Sequence, residues 1–422
     1  MSLDVAALRA QFPSLDSGLA HFDGPGGTQT PAVVGEAIAR TLTGPLSNRG
    51  LGSLSERNAE DAIAGFRAAF ADLLAADARG IVYGRSATQI AYDFSRTLAK
   101  TWGPGDEIVV TELDHDSNIR PWLQAAERAG ATVRWLRLDA QTAELDLTRL
   151  DEVVTDRTRL VAVTAASNLL GTQPPVARIA ERAHAVGALV YVDGVHATAH
   201  AAIDTAALGA DFFVCSPYKL YGPHCAVLAA DPALLETLAF DKLLPSTNEV
   251  PERFELGTLP YELMAGATAA VDFLASLGAG AAGGDGTGGA ERDDARSGAG
   301  DSRRARLVAA NAAIEDHELR LRGRIEAGLA ELGDRVRLHS VAAERTSTLF
   351  MTFGERDPHE VSAALAAQQI VAPAGTFYAY EPFRALAAGL GLTATAGLRV
   401  GLAPYNDDAE IDRLLEVLAG AL

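Results

Sequence analysis

The sequence predicts an α/β protein built on a mostly parallel sheet, and three observations carry that expectation. Short β-branched or aromatic runs recur at 108–111, 160–164, 189–192 and 212–214, each read as a buried strand. Helical stretches such as 121–129 and 175–186 separate them. Alternation at this spacing calls for crossover connections between parallel strands. Ligands in such sheets bind outside the carboxyl ends of the strands, so the loops that follow the runs are where chemistry is expected.

In chain order, segment 1–20 is expected to pack with a smaller C-terminal domain. Residues 21–265 should form the large domain, and 266–422 the smaller α+β one. Between 278 and 303 the composition shifts to Gly, Ala, Ser and charged residues, which predicts a flexible surface insert. Beyond it, 305–332 reads as one long helix, 347–353 as a strand, 358–368 as a helix and 398–402 as a strand. A last helix begins at Asp407. No internal repeat is evident.

A length of 422 residues suggests two or three domains at roughly 150 residues each. Thirty-six basic against 55 acidic side chains leave a formal charge of −19. That balance opposes non-specific binding to nucleic acid or membranes, and no extra basic helical domain is present for a DNA-binding role. The two cysteines, Cys215 and Cys225, supply neither a disulfide framework nor metal-ligand spacing. There is no basic-then-apolar leader and no apolar run near the ~18 residues of a membrane helix. A cytoplasmic protein is expected. No G-x-G-x-x-G or G-x-x-x-x-G-K-[ST] pattern opens a helix, which weighs against nucleotide binding.

Two stretches suggest a chemistry. Asp193 closes the apolar run Tyr191-Val192, and Lys219 lies in Ser216-Pro217-Tyr218-Lys219 after the next run. Taken singly, the aspartate is an ordinary cap and the lysine an ordinary surface residue. Together they match what pyridoxal phosphate requires. One lysine amine must join the cofactor aldehyde, and one carboxylate must keep the pyridine nitrogen protonated. Such a lysine needs a partly desolvated, electropositive setting to be nucleophilic.

With these motifs in order, the chain resembles the class V aminotransferase family, and within it the cysteine desulfurase-like branch. The resemblance implies a pyridoxal-phosphate-dependent transferase fold and assigns roles to named residues. Ser86, Ala87 and Thr88, opening a helix after Gly84-Arg85, resemble the family's phosphate loop; free backbone N–H groups at a helix start suit an anion. His115 corresponds to the histidine that stacks on the cofactor ring and moves protons. Asn168 lies near the cofactor phenolic oxygen and the substrate carboxylate. Asp193 is the pyridinium partner. His196 stands where many relatives carry a glutamine that bonds the phenolic oxygen. Ser216 and Tyr218 fall at cofactor-binding positions, and Lys219 is the cofactor lysine and the base at the substrate α-carbon. Thr258 corresponds to a residue that reaches the phosphate of a neighbouring subunit, which implies a homodimer with shared sites. Arg399 corresponds to the arginine that grips the substrate carboxylate in two-point contact. By themselves the same residues also read as helix caps, turn residues and exposed strand positions.

Two departures stand out. Tyr218 replaces a phosphate-binding histidine before the lysine. The segment 371–378, VAPAGTFY, holds no cysteine where desulfurases carry the mobile thiol that takes sulfur. The expectation is therefore an enzyme acting on a small L-amino acid, cleaving a C–S bond by β-elimination without a persulfide cysteine. Transamination and epimerisation use the same residues and stay open, as does a cofactor-binding partner protein without turnover. Loops 24–30, 48–51 and 377–380 are expected to wall the pocket.

Overall fold

The computed structural model describes residues 3–278 and 302–422. Most of the insert expected at 278–303 lies outside the described residues. A seven-stranded sheet runs in the order Ile81–Gly84, Ala226–Ala230, Phe212–Cys215, Leu189–Asp193, Thr158–Thr164, Glu107–Thr111, Thr132–Leu136. Ala226–Ala230 is antiparallel to both neighbours, and the remaining pairs are parallel. The register sets Thr164 beside Asp193 and Asp193 beside Val214, so the strand ends line up along one edge.

Successive side chains of a strand point to opposite faces, and both faces here are covered. Val109, Val161, Val163, Val190, Val192 and Phe213 enter one core. Ile108, Val110, Leu160, Ala162, Tyr191 and Phe212 enter the other. Continuous apolar runs, rather than alternating ones, are what such strands need. Trp122 on the helix Arg120–Ala129 is fully buried in the second core, and its indole N–H donates to Asn118 Oδ1 at 3.0 Å. Truncating it to alanine would cost about 3–5 kcal/mol.

A four-stranded antiparallel sheet follows, in the order Arg337–Leu338, Thr348–Thr352, Gly397–Gly401, Ala374–Gly375. It packs on a third core with the helices Arg303–Glu331, Pro358–Ala367 and Asp408–Ala421. Ser302 caps the first of these by accepting from Ala305 N, and Asp407 forms a capping box with Glu410 at the last. Unpaired N–H groups at helix starts explain why serine and aspartate mark these beginnings.

The N-terminal segment contacts both parts. Phe12 packs its ring on Tyr221, Phe273 and Tyr405, while Arg9 pairs with Glu410 at 3.0 Å. Ala20–His21 runs parallel to Ile370–Val371. Among the described residues no helix is long and apolar enough to cross a membrane.

Candidate active site

A cavity of about 440 Å³ opens at the carboxyl edge of the large sheet, and the small sheet closes it. The parallel direction of the strands is what gathers its residues. Ser86 follows Ile81–Gly84, His115 follows Glu107–Thr111 and Asn168 follows Thr158–Thr164. Asp193 ends its own strand, and Ser216 to Lys219 follow Phe212–Cys215. From the small sheet comes Arg399, in the middle of Gly397–Gly401.

Ser86, Ala87, Thr88, His115, Asn168, Asp193, His196, Ser216, Tyr218, Lys219 and Arg399 all line this one cavity. Thr258 does not; it is exposed on the loop before the helix Tyr261–Leu277. Of the expected wall loops, Pro25, Gly26, Phe377 and Tyr378 contribute, and 48–51 lies outside.

Lys219 is buried, and its Nζ donates to the Pro25 carbonyl oxygen. Burial lowers its pKa to about 8, helped by the Arg399 charge and opposed by Asp23 and Asp193. Asp193 is raised to about 6 by burial, while the Val195 N–H, donating at 2.9 Å, and Lys219 favour its charged form. His115 is lowered to about 4, first by burial and then by Lys219. Its Nδ1 accepts from Ser117 N at 3.1 Å, so the neutral ring carries its proton on Nε2.

His196 is buried, and burial holds its imidazole neutral. Its Nε2 meets Thr346 Oγ1 at 3.1 Å and Thr348 Oγ1 at 3.0 Å, two hydroxyls from the small-sheet side. Asn168 donates from Nδ2 to the Phe377 carbonyl at 3.0 Å, and its Oδ1 is buried without a partner among the described residues. Tyr218 stacks on His224 with ring centroids 4.7 Å apart. The Arg399 guanidinium lies 3.8 Å from the Phe377 ring centroid. It donates to the Asn168 carbonyl at 3.1 Å and to Asp23 Oδ1 at 2.5 Å.

The residues present fit a pyridine aldehyde phosphate. Ser86 caps the helix Ala87–Leu98 by accepting from Gln89 N, and the first N–H groups of that helix have no partner within it. They could hold a phosphate. Asp193 could pair with a ring N–H, and the orphaned Asn168 Oδ1 awaits a donor. Lys219 offers an amine that is partly neutral near pH 8. Among the described residues no cluster of His, Cys, Asp or Glu could hold a metal ion.

Both cysteines are buried and neither lines the cavity. Burial pushes the Cys215 thiol far up and the Cys225 thiol up to about 12. From the cysteine-free segment 371–378, Pro373, Phe377 and Tyr378 line the cavity. The sequence reading did not single out Asp23, because an aspartate before Gly-Pro-Gly-Gly looks like a turn residue. Thr346 and Thr348 were missed too, since they reach His196 only through tertiary packing.

Fold and cavity together define an α/β protein with a buried lysine and a buried carboxylate at the carboxyl edge of its sheet. Residues 20–285 and 306–414 match the family model described as Aminotransferase class-V, and the chain belongs to that family. A probable cysteine desulfurase of Streptomyces coelicolor is 30% identical over 443 residues, covering 99% of this chain and 96% of that one. A cysteine desulfurase of Dickeya dadantii is 36% identical over 296 residues, covering 64% of this chain and 71% of that one. In structure, the cysteine desulfurase CsdA from Escherichia coli superposes with a TM-score of 0.82 at 27% identity, covering 100% of this chain and 99% of that one. The large, mostly parallel sheet is thus the fold of cysteine desulfurases.

Proposed function

We propose that the protein is a pyridoxal-phosphate-dependent enzyme that cleaves a C–S bond of a small L-amino acid by β-elimination, with no persulfide cysteine. The observation that carries this reading is Lys219, buried in the cavity with its amine held at about 8. Family membership and the desulfurase names of the relatives support the cofactor and the sulfur-bearing substrate. The buried, weakly acidic thiols support release of sulfur rather than its capture on the protein.

Pyridoxal phosphate, when bound, would supply an electron sink for the pair left at the substrate α-carbon. Lys219 would hold the cofactor aldehyde and serve as the base at the α-carbon, and Asp193 would keep a proton at the pyridine nitrogen. Ser86, Ala87, Thr88 and Ser216 would hold the phosphate, with Tyr218 beside them. His196 and Asn168 would serve the phenolic oxygen. Arg399 would grip the substrate carboxylate, and the neutral His115 would lie against the ring. We also place Thr258 at the phosphate of a second subunit, in a homodimer with shared sites; its exposure outside its own chain's cavity supports this.

The test is the visible absorbance of protein purified with pyridoxal phosphate, compared with Lys219→Ala. Absence of a lysine-dependent band would sink the reading. With the band present, L-cysteine, cystine and cysteine conjugates are supplied and the products assayed. Pyruvate is expected. Alanine with sulfane sulfur would mean desulfuration through a protein thiol, and a keto acid with aminated cofactor would mean transamination. Racemised substrate would mean epimerisation, and no product from any amino acid would favour a non-catalytic role.

A further inference from the structure

Asp23 occupies a place in the cavity that the proposed chemistry leaves unused. Its backbone is fixed: the Gly26 and Gly27 N–H groups donate to its carbonyl at 2.9 and 3.1 Å, and it bridges Gly401 in the small sheet. Its carboxylate lies over Gly26, where a β-carbon would fall 2.1 Å from Oδ2. The glycine therefore makes room for the carboxylate. Asp23 Oδ1 accepts from Arg399 Nη2, and among the described residues Oδ2 takes no hydrogen bond. Lys219 sits alongside, bonded to Pro25, two residues on.

The guanidinium is a planar fork. Either of its two-point edges, Nε with Nη2 or Nη1 with Nη2, uses Nη2, and Nη2 is where Asp23 binds. A carboxylate arriving alone thus meets a second carboxylate bound at the same nitrogen, on its other N–H. A ligand that brings its own cation meets a partner instead. The pair offers one positive and one negative group side by side, next to the lysine.

We infer that Asp23 and Arg399 read the incoming substrate as a zwitterion, Arg399 taking the α-carboxylate and Asp23 accepting a hydrogen bond from the α-ammonium. This rests on the proposed function, in that an amino acid is what enters the cavity. Asp23 thereby selects amino acids over plain carboxylic acids before any covalent step, and it docks the amine beside Lys219.

Two probes of nearly the same shape test this. N,N-Dimethylglycine carries a protonated tertiary amine where 3-methylbutanoate carries a methine, and neither can join the cofactor. Calorimetry on the pyridoxal-phosphate-loaded protein should find N,N-dimethylglycine bound on the order of tenfold more tightly, as one hydrogen bond between charged groups implies. Asp23→Asn, which keeps an acceptor for Arg399, should abolish the preference and bind 3-methylbutanoate no less tightly than the wild type. Asp23→Ala should do the same. Equal affinities in the wild type would overturn the inference. So would equal weakening of both probes in Asp23→Asn, because Asp23 would then merely support Arg399. A protein lacking the lysine-dependent band overturns the proposed function instead; the affinity ratio needs no covalent step and, measured then on the cofactor-free protein, still decides the role of Asp23.

Discussion

Asn168 and Phe377 are joined by a 3.0 Å hydrogen bond from the amide Nδ2 to the backbone carbonyl. It pins a turn in which Phe377 and Tyr378 both have left-handed backbone, with φ of 56° and 55°. The Tyr378 carbonyl is held as well, by Asp116 N at 2.8 Å. The turn is fixed to the large sheet at both residues, and the Phe377 ring covers the Arg399 guanidinium. Phe377→Ala should raise KM for the amino acid about five- to thirtyfold, from the ~1–2 kcal/mol of a desolvated cation–π contact, with a smaller change in kcat. Steady-state kinetics on the preferred substrate check this.

The two thiols should be dispensable. The variant carrying Cys215→Ala and Cys225→Ala removes groups that are fully buried and do not line the active-site cavity. Turnover should stay within about twofold of the wild type, since buried cysteine acts as a small hydrophobe. Product assays with matched enzyme concentrations decide the point. Loss of activity confined to Cys225→Ala would assign that thiol to the chemistry.

Lys219 should control cofactor uptake. Its neutral amine is the reactive form, and its pKa near 8 lies below the ordinary lysine value of 10.5. The rate at which cofactor-free protein regains its visible band should therefore rise with pH through a midpoint near 8. Asp23 favours the charged amine, so Asp23→Asn should move that midpoint down. Stopped-flow absorbance across a pH series provides the measurement.

Asp114 should make the fold sensitive to alkali. It is wholly buried, accepts from Asn118 Nδ2 at 2.7 Å and from Thr111 Oγ1, and burial raises its pKa to about 8. A carboxyl whose folded pKa is raised stabilises the protein below its unfolded value of 3.8 and loses that contribution as pH rises through about 8. Asp193, raised to about 6, acts with the same sign. The buried histidines act with the opposite sign below about pH 6.5, so the comparison is made above that range: the cofactor-free protein should melt about one to two degrees lower at pH 8 than at pH 7. Asp114→Asn should flatten the upper part of that decline, which thermal melts of the two proteins will show.

The sequence pattern made the large sheet legible because its strands are buried on both faces and separated by helices long enough to cross over. The run at 108–111 appears as Glu107–Thr111, and that at 160–164 as Thr158–Thr164. Asp193, the last residue of Leu189–Asp193, and Lys219, in the turn after Phe212–Cys215, stood out only as a pair matched to a known family, because either alone reads as an ordinary cap or surface residue. What the sequence hid depends on contacts between distant segments. Asp23 pairs with Arg399 across 376 positions, and His196 meets Thr346 across 150. Neither leaves a local spacing to detect. The reversed direction of Ala226–Ala230 was likewise invisible, since an apolar run does not reveal which way it points.

The origin of the two halves of the cavity has a consequence for descent. Lys219 and Asp193 come from the large sheet, whereas Arg399, its partner turn at Phe377 and the threonines that hold His196 come from the C-terminal part of the chain. Under the proposed roles, most residues that would serve the cofactor and the arginine that would serve the α-carboxylate lie in different stretches of the gene, with Asp23 and Asn168 on the substrate side as exceptions. Mutation after residue 340 can therefore reshape the Arg399 side of the cavity while Lys219 and Asp193 are inherited unchanged.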